Sequence, residues 1–134
     1  MLSKINNITD FIMRYSTYSN KEKLKEFIKQ HIFYKTCLDV RNDFDEIIGF
    51  ARWNILDEGK TMLVLDVIVR EDYRYTDLIF KMFQKEMKRY PYVSFIEFEK
   101  GYDDGLSNKP KKRYEIKKMI RRFKNVQKFN QVNV

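Results

Sequence analysis

The sequence predicts an α/β (α+β) domain with a central, mostly antiparallel sheet, one parallel crossover pair and flanking helices. Three observations carry that prediction. Two amphipathic helical stretches precede any strand-like pattern. Three apolar runs then follow with only short polar turns between them, which implies an antiparallel meander and not a doubly wound sheet. Finally, an amphipathic helix separates the third run from a fourth, so those two strands can lie parallel through a right-handed crossover.

In chain order, "ITDFIMRY" places Ile8, Phe11, Ile12 and Tyr15 at helical spacing, with Thr9 as a candidate cap. "SNKEKLKEFIKQHIF" opens on Ser19 with Glu22 three residues later, the spacing of a capping box. Leu24, Phe27, Ile28, His31 and Ile32 then share one face. "FYKTCLDVR" alternates, with Tyr34, Thr36, Leu38 and Val40 on one side. After the polar turn "NDFD" comes "EIIGFARWNI", then the hairpin turn "DEGK", then "TMLVLDVIV", which reads as a strand buried on both faces. Residues 77–90 form the next helix, with Leu78, Ile79, Met82, Phe83, Met87 and Tyr90 as its apolar side and Pro91 as its stop. "YVSFIEFEK" is a further strand, and "GYDDGLSNKP" is a loop rich in breakers. "KKRYEIKKMIRRF" is read as a final basic helix that buries Tyr114, Ile116, Ile120 and Phe123.

A chain of 134 residues fits one domain, taken as residues 1–124 with a loose tail over 125–134. Its 43% hydrophobic and 16% aromatic content argue against disorder. No apolar run approaches the length of a membrane span, and "MLSKINNITD" lacks the apolar centre of a secretory signal. The expectation is therefore a cytoplasmic protein without a membrane partner. Cys37 is the single cysteine and His31 the single histidine, so no zinc-type ligand cluster can be drawn and no metal is expected. Cys37 reads as a small hydrophobe, His31 as a core residue beside a polar partner, and Trp53 as core in preference to the lining of a groove.

The net charge of +8 is unevenly placed. Residues 109–134 hold ten Lys or Arg against the one acid Glu115, while residues 1–108 are close to neutral. Such a block is a solvated face by default, or a footprint for an anionic partner.

Ile48-Gly49-Phe50-Ala51, the hairpin after it, Asp66-Val67-Ile68-Val69 and the approach Asp72-Tyr73-Arg74 together resemble the GNAT superfamily of N-acyltransferases, over roughly residues 20–123. The resemblance implies an acyl group transferred from acyl-CoA, such as acetyl-CoA, to an amine. It implies that backbone groups of Val67 and Val69 pair with the pantetheine arm in a gap between two splayed strands. It further implies that Arg74, Tyr75, Thr76, Asp77, Leu78 and Ile79 form the pyrophosphate turn and that Asn108 lies near the cofactor. Asp66 would be the base and Tyr114, opening the final helix, the acid. Paired with an Arg or a backbone donor, Asp66 has a purely structural alternative, and Tyr114 has one packed against the sheet.

The family fills its turn with glycine, where this chain has Tyr75, Asp77 and Ile79. Asp77 is also a good helix N-cap and could consume the donors that a phosphate would use. Whether the chain is an active enzyme is therefore left open by its sequence. The alternative is a non-catalytic GNAT-fold module, similar to small divergent proteins of phage genomes and located in host cytoplasm or virion. Its basic helix, through Lys111, Lys112, Arg113, Lys117, Lys118, Arg121 and Arg122, would contact nucleic acid or a protein.

Overall fold

The computed structural model describes residues 2–74, 77–99 and 112–115. Helices α1 (Leu2–Tyr15) and α2 (Lys21–Phe33) come first. Strands β1 (Cys37–Arg41), β2 (Ile47–Leu56) and β3 (Thr61–Val69) follow, then helix α3 (Leu78–Met87) and strands β4 (Phe95–Phe98) and β5 (Lys112–Glu115). The sheet runs in sequence order, β1-β2-β3-β4-β5. Only β3 and β4 are parallel; the other neighbours are antiparallel. No helix among the described residues is long and apolar enough to cross a membrane.

Helices cover both faces of the sheet. Ile5, Ile8, Phe11 and Ile12 of α1 and Leu24 and Ile28 of α2 pack with Phe50 and Ile68 on one side. On the other side Met82 of α3 joins Ala51, Trp53, Met62, Val64, Val93 and Ile96. Full burial of Trp53 and Phe50 contributes about 1.5–3 kcal/mol for a side chain of this class. Trp53 is core, and its Nε1 donates to Tyr90 Oη at 3.0 Å.

The turns show why the strands end where they do. In "NDFD" the Asn42 side chain accepts from the N–H groups of Phe44 and Glu46, both at 3.0 Å. The β2–β3 turn passes through positive φ at Asp57, Glu58 and Gly59 (φ 93°), and Thr61 Oγ1 donates to Asp57 Oδ2 at 2.8 Å. Glycine meets the last of these positions without a Cβ penalty.

Three expectations need correction. Thr9 is not a cap: it lies mid-helix, fully buried, and its hydroxyl donates to the Ile5 carbonyl at 2.7 Å. The α2 cap is Asn20 in place of Ser19, its side chain accepting from Lys23 N–H at 3.1 Å. The stretch expected to begin a basic helix at Lys111 is a strand over Lys112–Glu115, registered antiparallel on β4, so Lys112, Arg113 and Tyr114 are strand residues. Backbone pairing with an available edge outweighs the modest helix propensity of a short charged segment. Lys111, Lys117, Lys118, Arg121, Arg122 and the tail over 125–134 lie outside the described residues, as do Tyr75, Thr76 and Asn108.

Candidate functional site

Strand β3 is split in two by its pairing. Its ladder with β4 runs from Thr61↔Phe95 to Val64↔Phe98, where Glu99 N–H donates to the Val64 carbonyl at 3.0 Å. Beyond that point β3 continues for five residues, Leu65 to Val69, still paired with β2. Among the described residues the β3–β4 ladder therefore ends at Val64, and the fork between the two strands opens there.

The phase of the β2–β3 ladder decides which backbone groups face the fork. Arg70 N–H donates to the Ile48 carbonyl at 2.9 Å, so Ile48 and Arg70 form a hydrogen-bonded pair. In an antiparallel ladder such pairs alternate with pairs whose N–H and C=O groups point outward. Gly49↔Val69 and Ala51↔Val67 are the outward pairs, so Val67 and Val69 direct their backbone groups to the side that β4 has left. Arg74 folds back so that its Nε donates to the Val69 carbonyl at 3.3 Å.

A bulge stands at the mouth of this fork. The register steps from Trp53↔Val64 to Arg52↔Asp66, with Leu65 as the extra residue. The bulge inverts the parity of β3: Met62 and Val64 join the α3-side core, whereas Ile68 joins the α1/α2 side and Val67 takes the α3 side. Asp66 thereby faces the N-terminal helices.

There it meets a buried polar network. Arg52 Nε donates to Asp66 Oδ2, and Tyr18 Oη donates to Asp66 Oδ1 and Oδ2 at 3.1 and 3.0 Å. Arg52 Nη2 donates to Tyr18 Oη at 2.8 Å, and Nη1 lies 3.4 Å from His31 Nε2. His31 Nδ1 is 2.7 Å from Thr36 Oγ1. Burial is the largest influence and opposes the charge of Arg52, but Asp66 and Tyr18 together outweigh it and hold the guanidinium charged. Burial, then Asp66, raises the Tyr18 hydroxyl above its ordinary range. Burial, then Arg52, lowers His31, which keeps its ring neutral. Cys37 packs on the same side, its thiol pushed by burial up to about 11.

Helix α3 begins close to the open half of β3. A Cβ on Gly49 would lie 3.5 Å from both Leu78 Cδ2 and Met82 Sδ, so the first turns of α3 sit over the Gly49↔Val69 row. Asp77 occupies the N-cap position but its side chain does not bond the helix N–H groups; it pairs with Lys81 Nζ at 3.4 Å. That corrects the expectation of a self-capped helix. Upstream, Arg70 is held by Asp72 in two 2.8 Å bonds and by Glu46 at 3.6 Å, and it covers the Tyr73 ring.

The structure thus brings Val67, Val69, Arg74, Asp77, Leu78 and Ile79 to one end of the sheet. Tyr114 stands in the row Met62–Ile96–Tyr114, on the closed side of the fork. Tyr18 and Arg52 had not been singled out from sequence; a lone carboxylate in an apolar strand was the available signal that a cation must lie nearby. Among the described residues no group of three His, Cys, Asp or Glu could hold a metal ion.

The sequence matches no protein-family profile and no curated protein. Solved structures do share the fold. Diaminobutyrate acetyltransferase from Paenibacillus lautus, in complex with L-2,4-diaminobutyric acid and coenzyme A, aligns over 72% of this chain with a TM-score of 0.57 and 19% identity. This chain spans only 59% of that enzyme's length. A GNAT-family acetyltransferase from Staphylococcus aureus aligns over 76% of this chain and 71% of its own, with a TM-score of 0.60 and 14% identity. An aminoglycoside 6′-N-acetyltransferase complexed with coenzyme A aligns over 70% of this chain and 53% of its own, with a TM-score of 0.52 and 12% identity. With its forked mixed sheet between two helical layers, the chain has the fold of the GNAT N-acetyltransferases.

Proposed function

We propose that the chain is an N-acyltransferase that takes an acyl group from acyl-CoA, with acetyl-CoA the probe of choice, and passes it to an amine. The observation that carries this reading is the fork, where the backbone of Val67 and the N–H of Val69 face an edge that the described part of β4 does not pair, the Val69 carbonyl being taken by Arg74. An extended pantetheine arm, with its amides, is complementary to such an edge. The start of α3 also suits a pyrophosphate: the Asp77 side chain makes no cap bond to the helix, and its carboxylate is offset by Lys81. Arg74, Tyr75, Thr76 and Asn108 complete the proposed cofactor contacts.

Bound acyl-CoA would supply the thioester carbonyl. An amine lone pair would attack it while backbone donors near Val69 polarise its oxygen; the amine nitrogen would release its proton to solvent, the C–S bond would break, and Tyr114 would protonate the departing thiolate. We assign Asp66 an anchoring role, because Arg52 and Tyr18 already occupy its carboxylate. Two of the structural neighbours, the diaminobutyrate acetyltransferase with its substrate L-2,4-diaminobutyric acid and the aminoglycoside 6′-N-acetyltransferase, take amine acceptors, which supports an amine acceptor here.

Calorimetric titration with acetyl-CoA and with CoA tests the reading. Saturable, stoichiometric binding is expected; no heat at millimolar cofactor would overturn it. Tyr114→Phe should then lower turnover by about 10²-fold, the low end for a lost general acid, with cofactor affinity retained. Unchanged turnover removes Tyr114 from the mechanism.

A second reading is favoured by the turn itself, since residues 74–79 contain no glycine, and by the ten basic residues of 109–134. Here the fold is a non-catalytic module, cytoplasmic or in a virion, that contacts nucleic acid or protein through the basic C-terminal segment. Nucleic-acid binding would weaken steeply with added salt, and a flat salt response would exclude it.

A further inference from the structure

Helix α3 buries one side against the sheet and leaves the other over a groove of about 670 Å³ at its C-terminal end. The floor is apolar: Met87, Tyr90, Pro91 and Val93. Lys81, Lys85 and Lys88 line it along one stripe of the helix, at the i, i+4, i+7 spacing. Lys81 is partly offset by Asp77, whereas Lys85 and Lys88 form no ion pair among the described residues. The nearby acid Glu86 is buried and bound to Arg89 at 2.6 Å, so it does not neutralise the stripe. Tyr92, beside the floor, is 82% exposed.

The floor is also firmly set. Tyr90 accepts from Trp53 Nε1, its ring meets the Trp53 ring edge-on at 6.4 Å, and Arg89 lies over it at 5.3 Å. With Arg89 on its ring, Tyr90 is a poor platform for stacking a base, which counts against nucleic acid. A groove with an apolar floor and a basic margin complements an amphipathic acidic segment, its apolar side chains on the floor and its carboxylates at the lysines.

We propose that this groove is a docking site for an acidic, amphipathic segment of a partner protein. The site is separate from the fork and does not depend on acyl transfer.

Selection from a random peptide library displayed on phage, against the full chain, tests the proposal. The enriched peptides should be acidic, with apolar residues three or four apart. Their affinity, read by fluorescence anisotropy, should fall about tenfold or more for Lys85→Glu with Lys88→Gln, and should weaken with added salt. Both positions are exposed on a helix surface, and thermal melting checks that the variant folds. Pro91→Ser, at an exposed position of the floor, should also weaken binding with the charges intact. Enrichment of neutral or basic peptides, or binding indifferent to the lysine changes, overturns the proposal. So does tighter binding of a single-stranded oligonucleotide that the same lysine changes abolish, or a concentration-dependent dimer that occludes the groove.

Discussion

The two halves of β3 are held in place by different forces. From Thr61 to Val64 the strand is bonded on both sides, to β2 and to β4. From Leu65 to Val69 it pairs, among the described residues, with β2 alone, and side chains do the rest: Asp66 is clamped by Arg52 and Tyr18, Ile68 packs under α1 and α2, and Val67 packs on the α3 side. The closed half is a piece of ordinary sheet. The open half keeps its shape while leaving one backbone edge for other use, because a buried ion pair and two apolar cores replace the missing ladder.

The sharpest way to break that contrast is proline. Val64→Pro removes a donor from the doubly bonded half and should prevent stable folding, an effect of several kcal/mol. Val67→Pro removes an N–H that faces the fork, so the chain should still fold while acetyl-CoA binding is lost. Circular dichroism with calorimetry separates the two, and equal damage from both would erase the distinction between the halves.

Next in size is the clamp. Asp66→Ala strands the Arg52 guanidinium in a buried site and should cost about 3–5 kcal/mol in urea unfolding. Replacing both partners, as Arg52→Met with Asp66→Leu, should recover most of that loss. If the double variant is as damaged as the single, the clamp is not a closed pair.

His31 closes the far end of the same network and gives it a pH dependence. Its folded value lies below the ordinary 6.5, so between those two values the unfolded chain binds more protons than the folded one. Stability should therefore fall as pH drops below about 6.5. His31→Gln should flatten that part of the curve relative to the parent, measured by unfolding at pH 7 and at progressively lower pH. An identical slope in both proteins would show that His31 does not carry the effect.

The smallest effect concerns Gly49, opposite Val69 in the open half. A Cβ there meets Leu78 and Met82 at 3.5 Å, an ordinary contact, and no positive φ is required. Gly49→Ala should stabilise by about 0.5 kcal/mol through the unfolded chain's lost freedom. A clear loss of stability would mean that the packing of α3 on the open half cannot yield even slightly.

Much of this architecture was legible before any coordinates. The spacing of Ile8, Phe11 and Ile12, the "NDFD" and "DEGK" turns and the helix ending at Pro91 are local patterns, and local patterns survive folding. The start of the basic segment, Lys112–Glu115, is a strand and not a helix because its helical spacing competes with another period. Tyr114 and Ile116 also stand two apart, the period of a strand, and β4 offers the edge that rewards it. Asn20 displaced Ser19 as a cap because two adjacent residues were chemically able to do the work and the chain's path chose between them.

The clamp shows where sequence reasoning stops. Counting back from the "DEGK" turn without interruption sets Arg52 opposite Leu65 and leaves Asp66 opposite Ala51, with the two charges on opposite faces. The single extra residue at Leu65 shifts the register by one, and in a strand a shift of one moves every later side chain to the other face. By itself, then, the sequence determined the order of elements, the apolar faces and a carboxylate in need of a partner. Only the tertiary structure decided that Arg52 is that partner and that, among the described residues, the β3–β4 ladder ends at Val64, because a bulge and a fork are agreements between strands distant in sequence.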